Sequence, residues 1–116
     1  MKIIKGTTRI VFIFKNFVIK IPNGTYSHLN FLNGCYANWS EWQFCKNFED
    51  HELYQRVAPS LFCIYFGLLQ IQQKCDLLNR ELTDEELDYF REVRGGESKP
   101  NNFGFYKGRI VCLDYP

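Results

Sequence analysis

Glu97, Lys99, Asn102 and Asp114 lie within the last twenty residues, Glu97-Ser-Lys-Pro-Asn-Asn-Phe-Gly-Phe-Tyr-Lys-Gly-Arg-Ile-Val-Cys-Leu-Asp-Tyr-Pro116. This stretch reads as a β-hairpin. A short strand follows Asn102, Lys107-Gly108 supplies the turn, and a second strand from Arg109 to Leu113 delivers Asp114. Folded back, the hairpin brings Asn102 and Asp114 together. A side-chain carbonyl and a carboxylate at neighbouring strand ends are hard oxygen ligands, of the kind that hold Mg²⁺ on a nucleotide.

The elements that must position these groups begin at the other end of the chain. A strand is expected from Arg9 to Phe14, a turn at Lys15-Asn16, and a strand from Phe17 to Ile21. A helix is expected from about Ser27 to Asn47, with Gly34 as a candidate break and with Trp39, Trp42 and Cys45 as an apolar stripe at helical spacing around Glu41. An inner hairpin follows, Leu61 to Phe66, Gly67, then Leu68 to Gln73. Thr83-Asp-Glu-Glu86 is a capping box that starts a short helix to about Val93, and Gly95-Gly96 ends it. The fold class is α+β: an antiparallel sheet of about four strands with one packed helix, then a short helix and a C-terminal β-hairpin. Residues 1–116 make one domain, in which 1–78 carry the sheet and long helix and 79–116 the remainder.

The C-terminal segment resembles the catalytic loop and metal-binding strand of protein-kinase-like phosphotransferases, whose pattern runs D-x-K-P-x-N, a hairpin, then D-[FY]-G. Lys99, Pro100, Asn102, Asp114 and Tyr115 match in order. Glu97 stands where the family has its catalytic Asp, and Pro116 where it has Gly. Phe17-Val-Ile-Lys-Ile-Pro22 resembles the strand with the family's phosphate-binding lysine, here Lys20, and Glu41 follows 21 residues later at a spacing that suits a Lys–Glu ion pair. The resemblance implies a kinase small-lobe-like arrangement over the first part of the chain, with Lys74 to Leu78 at the hinge. For an active enzyme it implies ATP and Mg²⁺ as cofactors. Lys20, oriented by Glu41, would then hold nucleotide phosphates, Asn102 and Asp114 the metal, Lys99 would stabilise the transferred phosphoryl group, and Glu97 would be the base.

The departures point away from chemistry. Glutamate adds a methylene to the base, which can displace it by about 1 Å and cost roughly 100-fold in rate. No glycine-rich loop precedes the strands, since Gly6-Thr7-Thr8 lacks the glycines that close approach to phosphates requires. With the chain ending at Pro116, the substrate-binding half of a kinase is not expected. The pattern also resembles small bacteriophage proteins. A pseudokinase-like module that binds and modulates a host protein in the host cytoplasm is therefore the leading expectation, with Trp39 and Trp42 as partner contacts. A minimal Mg/ATP-dependent phosphotransferase and a structural or assembly protein are the alternatives.

Composition bounds the partners. Net charge is +1, from 14 basic and 13 acidic residues, so no overall field favours nucleic acid. The first twenty residues are basic and Glu81 to Glu92 acidic, which polarises the molecule or simply makes two solvated faces. Five cysteines are odd in number and without a C-x-x-C pair, and only His28 and His51 accompany them. A zinc site and a structural disulfide are not expected, and a reducing compartment is. No apolar run is long enough to span a bilayer, and no secretory signal is recognisable. Taken singly, Lys20 also fits the solvent face of a two-faced strand, Glu41 a surface helix, Asn102 a turn, and Glu97 and Asp114 loop positions.

Overall fold

The computed structural model describes residues 1–48, 52–78, 80–91 and 103–113. The fold is α+β. It comprises two compact units, one of Met1–Asn47 with Pro59–Lys74, the other of Phe48–Ala58 with Cys75–Pro116.

The first unit is built on a five-stranded antiparallel sheet. Its strands are β1 (Lys2–Lys5), β2 (Arg9–Ile13), β3 (Phe17–Pro22), β4 (Ser60–Cys63) and β5 (Gln70–Gln73), in the spatial order β1-β2-β3-β5-β4. β2 and β3 are rich in Ile, Val and Phe, whose branched or bulky side chains suit the pleated surface. The four strands expected from sequence are joined by β1, whose Lys2 pairs with Ile13 and Lys5 with Ile10. Four residues alternating with lysine carry little periodic signal. Gly6-Thr7-Thr8 is consequently the turn between two strands, closed by the Gly6 amide donating to Arg9 O at 2.8 Å.

Helix α1 (His28–Asn47) runs unbroken through Gly34. Its start is marked by Ser27 Oγ, which accepts from the Asn30 amide at 3.1 Å. Gly34 is required by contact instead of by a break: a Cβ there would stand 2.2 Å from Thr8 O and 2.9 Å from Pro22 Cα. Glycine thus lets the helix backbone press against the sheet. The buried stripe of α1 is Gly34, Cys35, Asn38, Glu41 and Cys45. Trp39 and Trp42 flank it half-buried, so the expected Trp39–Trp42–Cys45 stripe is corrected to a narrower and more polar one.

The inner hairpin has shorter strands than expected. A 3₁₀ turn, Tyr65–Gly67, fills the connection, and Ile64 closes it by donating its amide to Leu69 O at 2.8 Å. Gly67 has φ 75°, and a Cβ on it would lie 2.0 Å from Cys35 O. Only glycine fits there.

The second unit carries a 3₁₀ turn (Glu52–Arg56), β6 (Asp76–Leu77), α2 (Asp84–Tyr89), β7 (Phe103–Tyr106) and β8 (Arg109–Cys112), with a sheet ordered β6-β7-β8. The β7–β8 turn is Lys107-Gly108, at φ 52° and 79°, the paired positive values of a tight hairpin turn whose twist matches its strands. β6 falls within the segment placed at the hinge, and it adds a third strand to the expected hairpin. Val57, Ala58, Phe90, Phe103, Val111 and Cys112 form the core, with the Phe90 and Phe103 rings 5.1 Å apart. The capping box of α2 is present: Thr83 Oγ1 accepts from the Glu86 amide at 3.2 Å, and Glu86 Oε1 accepts from the Thr83 amide at 2.9 Å. All five cysteines are free thiols.

Candidate functional site

The strand register decides which side chains α1 meets. Arg9 pairs with Pro22, Val11 with Lys20, and Lys20 with Gln70, so Arg9, Lys20 and Gln70 all project from one face of the sheet. On α1, Asn38 and Glu41 are three residues apart and share a face. Where the two surfaces meet, Lys20 Nζ donates to Glu41 Oε1 at 3.1 Å and Arg9 Nη2 to Glu41 Oε2 at 3.0 Å. Arg9 Nη1 donates to Asn38 Oδ1 at 3.0 Å. Asn38 Nδ2 completes the group by donating to Lys20 O at 3.0 Å and Gly67 O at 2.9 Å.

This is a buried polar cluster. Lys20 is 5% exposed, and Asn38 and Glu41 are fully enclosed. Each carboxylate oxygen of Glu41 is held by a cation from a different strand, so one side chain ties α1 to β2 and β3 together. Such groups contribute little net stability over a well-packed apolar core, because desolvation offsets the attraction, but removing one partner strands the others in low dielectric.

Cys63 borders the cluster. Its thiol lies 3.9 Å from Asn38 O, and its pKa is pushed up to about 11, chiefly by burial and then by the negative charge of Glu41. The thiol form is therefore favoured at neutral pH.

The expected Lys20–Glu41 pair forms, on the third strand and the helix that follows it. Sequence reasoning missed Arg9 and Asn38. Both carried a signal: Arg9 sits at even spacing from Val11 across the Lys15-Asn16 turn from Lys20, and Asn38 precedes Glu41 by three. Glu97, Lys99, Asn102 and Asp114 lie outside the described residues. Among the described residues, no group of three or more His, Cys, Asp or Glu side chains is placed to hold a metal ion.

Trp39 and Trp42 are each half-buried. Trp39 meets the exposed Tyr65 edge-on, with centroids 5.5 Å apart, and Lys46 Nζ lies 4.7 Å from the centre of the Trp42 ring. No protein-family model, no curated protein and no solved structure matches this chain. The site is thus read from its own geometry. What that geometry can do is fix a helix on a sheet through a lysine and an arginine that share one glutamate. Among the described residues, no helix is long and apolar enough to cross a membrane.

Proposed function

We propose that this chain is a pseudokinase-like binding module, encoded by a bacteriophage, that docks on a host protein and modulates it without phosphoryl transfer. The kinase-like part of the reading is supported by the placement of Lys20 on the third strand, bonded to Glu41 on the next helix, the pairing that orients the phosphate-binding lysine in protein kinases. The non-catalytic part rests on one observation: Arg9 takes the second oxygen of Glu41, and the whole group is buried. A lysine that clamps phosphates must turn its ammonium toward ligand. Lys20 instead serves as a strut between sheet and helix. Glu97 in place of the family's aspartate supports the same reading. Trp39 and Trp42, half-exposed on α1, remain its partner contacts.

A minimal Mg/ATP-dependent phosphotransferase is the second reading, favoured by the Lys20–Glu41 pair alone. Isothermal titration with ATP, with and without Mg²⁺, separates the two. The binding-module reading expects no heat of binding up to millimolar ATP. Mg²⁺-dependent binding that disappears in Asp114→Asn would overturn it and establish Asp114 as a metal ligand.

A further inference from the structure

The sheet of the first unit buries an unusual number of polar side chains under its helix. The face under α1 buries Arg9, Lys20, Gln70 and Gln72 among Val11, Ile13, Val18 and Pro22, while the other face is mostly apolar. Register places Ile3 opposite Phe12, Phe12 opposite Ile19, Ile19 opposite Ile71, and Ile71 opposite Phe62, one continuous apolar row across all five strands. Phe17 extends it at one end, stacked on Phe14 with centroids 4.9 Å apart. Within this unit, α1 and the Tyr65–Gly67 turn belong to the other face. Ile3 and Phe62 are each 49% exposed and Phe17 36%. Continuous apolar surface of this kind marks an interaction site.

Charge selects the occupant. The unit holds seven of the 14 basic residues and one of the 13 acidic ones, Glu41, which is buried. Its charges outside the Glu41 cluster are all lysines, of which three border the apolar row: Lys5 at one end of the sheet, Lys15 and Lys74 at the other. We propose that this face docks an acidic amphipathic helix of a partner protein, its apolar stripe on the Ile3–Phe12–Ile19–Ile71–Phe62 row and its carboxylates toward those lysines. The inference rests on the binding-module reading and adds to the Trp39 and Trp42 contacts on α1 a second partner surface, on the opposite face of the sheet, whose occupant has this chemistry. A helix is the element that completes a second layer on a sheet, and a row crossing five strands spaced ~4.8 Å apart spans about 19 Å, or three to four helical turns.

The same observations disfavour other occupants. A second copy would bring lysine rims against one another. A single nucleic-acid strand stacks on aromatic rings, and isoleucine dominates this row. Membrane interfaces favour Trp and Tyr, and those of this unit lie on or beside α1 and in the 3₁₀ turn, not on the open face.

The test is fluorescence anisotropy with a labelled 14-residue helical peptide carrying Leu at i, i+3, i+4 and i+7 spacing and Glu elsewhere. Binding is expected with a dissociation constant on the order of 10 μM at low salt. It should weaken at least about tenfold for a Leu/Lys peptide, for Ile19→Lys, and for Lys5→Glu with Lys15→Glu, each variant checked for an unchanged fold by circular dichroism. Absence of binding, equal binding of the Leu/Lys peptide, or indifference to these variants overturns the proposal. So does Ile19-dependent binding to phosphatidylserine vesicles, to oligo(dT), or to a second copy by sedimentation, where the peptide does not bind. Nucleotide is absent from this assay, so Mg-ATP binding would overturn the non-catalytic reading and leave the peptide result standing, whereas failure of the peptide alone removes this surface and leaves that reading.

Discussion

At the scale of single residues, the cluster around Glu41 sets what its neighbours can do. Asn38 makes three hydrogen bonds, to Arg9, to Lys20 O and to Gly67 O, and each of those groups is left short of a partner when it is truncated. Asn38→Ala is expected to cost about 1–3 kcal/mol in urea unfolding, within the range for leaving buried polar partners unsatisfied. Cys63 offers an independent readout. With its pKa raised to about 11 from an ordinary value of 9.0, its thiolate at pH 8 is scarcer by roughly two orders of magnitude. Native protein should alkylate at Cys63 about 100-fold more slowly than urea-unfolded protein. Equal rates would mean that neither burial nor the Glu41 charge acts on the thiol. Glu41 and Lys20 were legible in the sequence because their strand, helix and spacing were legible. Arg9 was not, because an arginine at the start of a strand looks solvated until the register places it beside Lys20 on the covered face.

At the scale of elements, the close approaches are made by glycines. Gly67→Ala places a Cβ against Cys35 O in a left-handed backbone, and Gly34→Ala forces α1 away from Thr8 and Pro22. Each should lower the unfolding midpoint by more than an average core substitution, about 2 kcal/mol or greater; a neutral Gly34→Ala would show that α1 is not held where described. The cap of α2 responds to pH. Arg80 and the Thr83 amide bind the Glu86 carboxylate and lower its pKa from 4.5 to about 2. A carboxylate with a depressed folded-state pKa contributes stability that is fully present above about 4.5 and is lost as pH falls toward 2. Acid titration followed by NMR of Glu86 should therefore show its protonation near pH 2, and Arg80→Ala should move that titration upward. A titration already at 4.5 in the native chain would contradict the pairing. The capping box was readable because it is a local four-residue signal, as was the Lys107-Gly108 turn. β1 and β6 were not, since two to four residues without clear alternation join a sheet only when a neighbouring edge offers them partners.

At the scale of the whole molecule, a net charge of +1 conceals a division, with seven basic residues and one acidic residue in the first unit. Sequence order hinted at it through the basic first twenty residues and the acidic stretch at Glu81 to Glu92. What order could not show is that the one acid of the first unit is spent internally, on Arg9 and Lys20. The unit's polar side chains on the helix-covered face are consequently satisfied from within, and the proposed docking row lies on the opposite face. Because the Glu41 group is buried, its contribution should be nearly independent of salt: the stability difference between the natural chain and Glu41→Gln should change by less than about 0.5 kcal/mol between 0.05 and 1 M NaCl.

Glu41 is a structural cross-link between helix and sheet, and equilibrium urea unfolding of Glu41→Gln is the direct test of that role. Removing the carboxylate leaves Arg9 and Lys20 buried without their shared anion, so a loss of about 3–5 kcal/mol is predicted. A loss below about 0.5 kcal/mol would contradict it and return Glu41 and Lys20 to the service of a ligand.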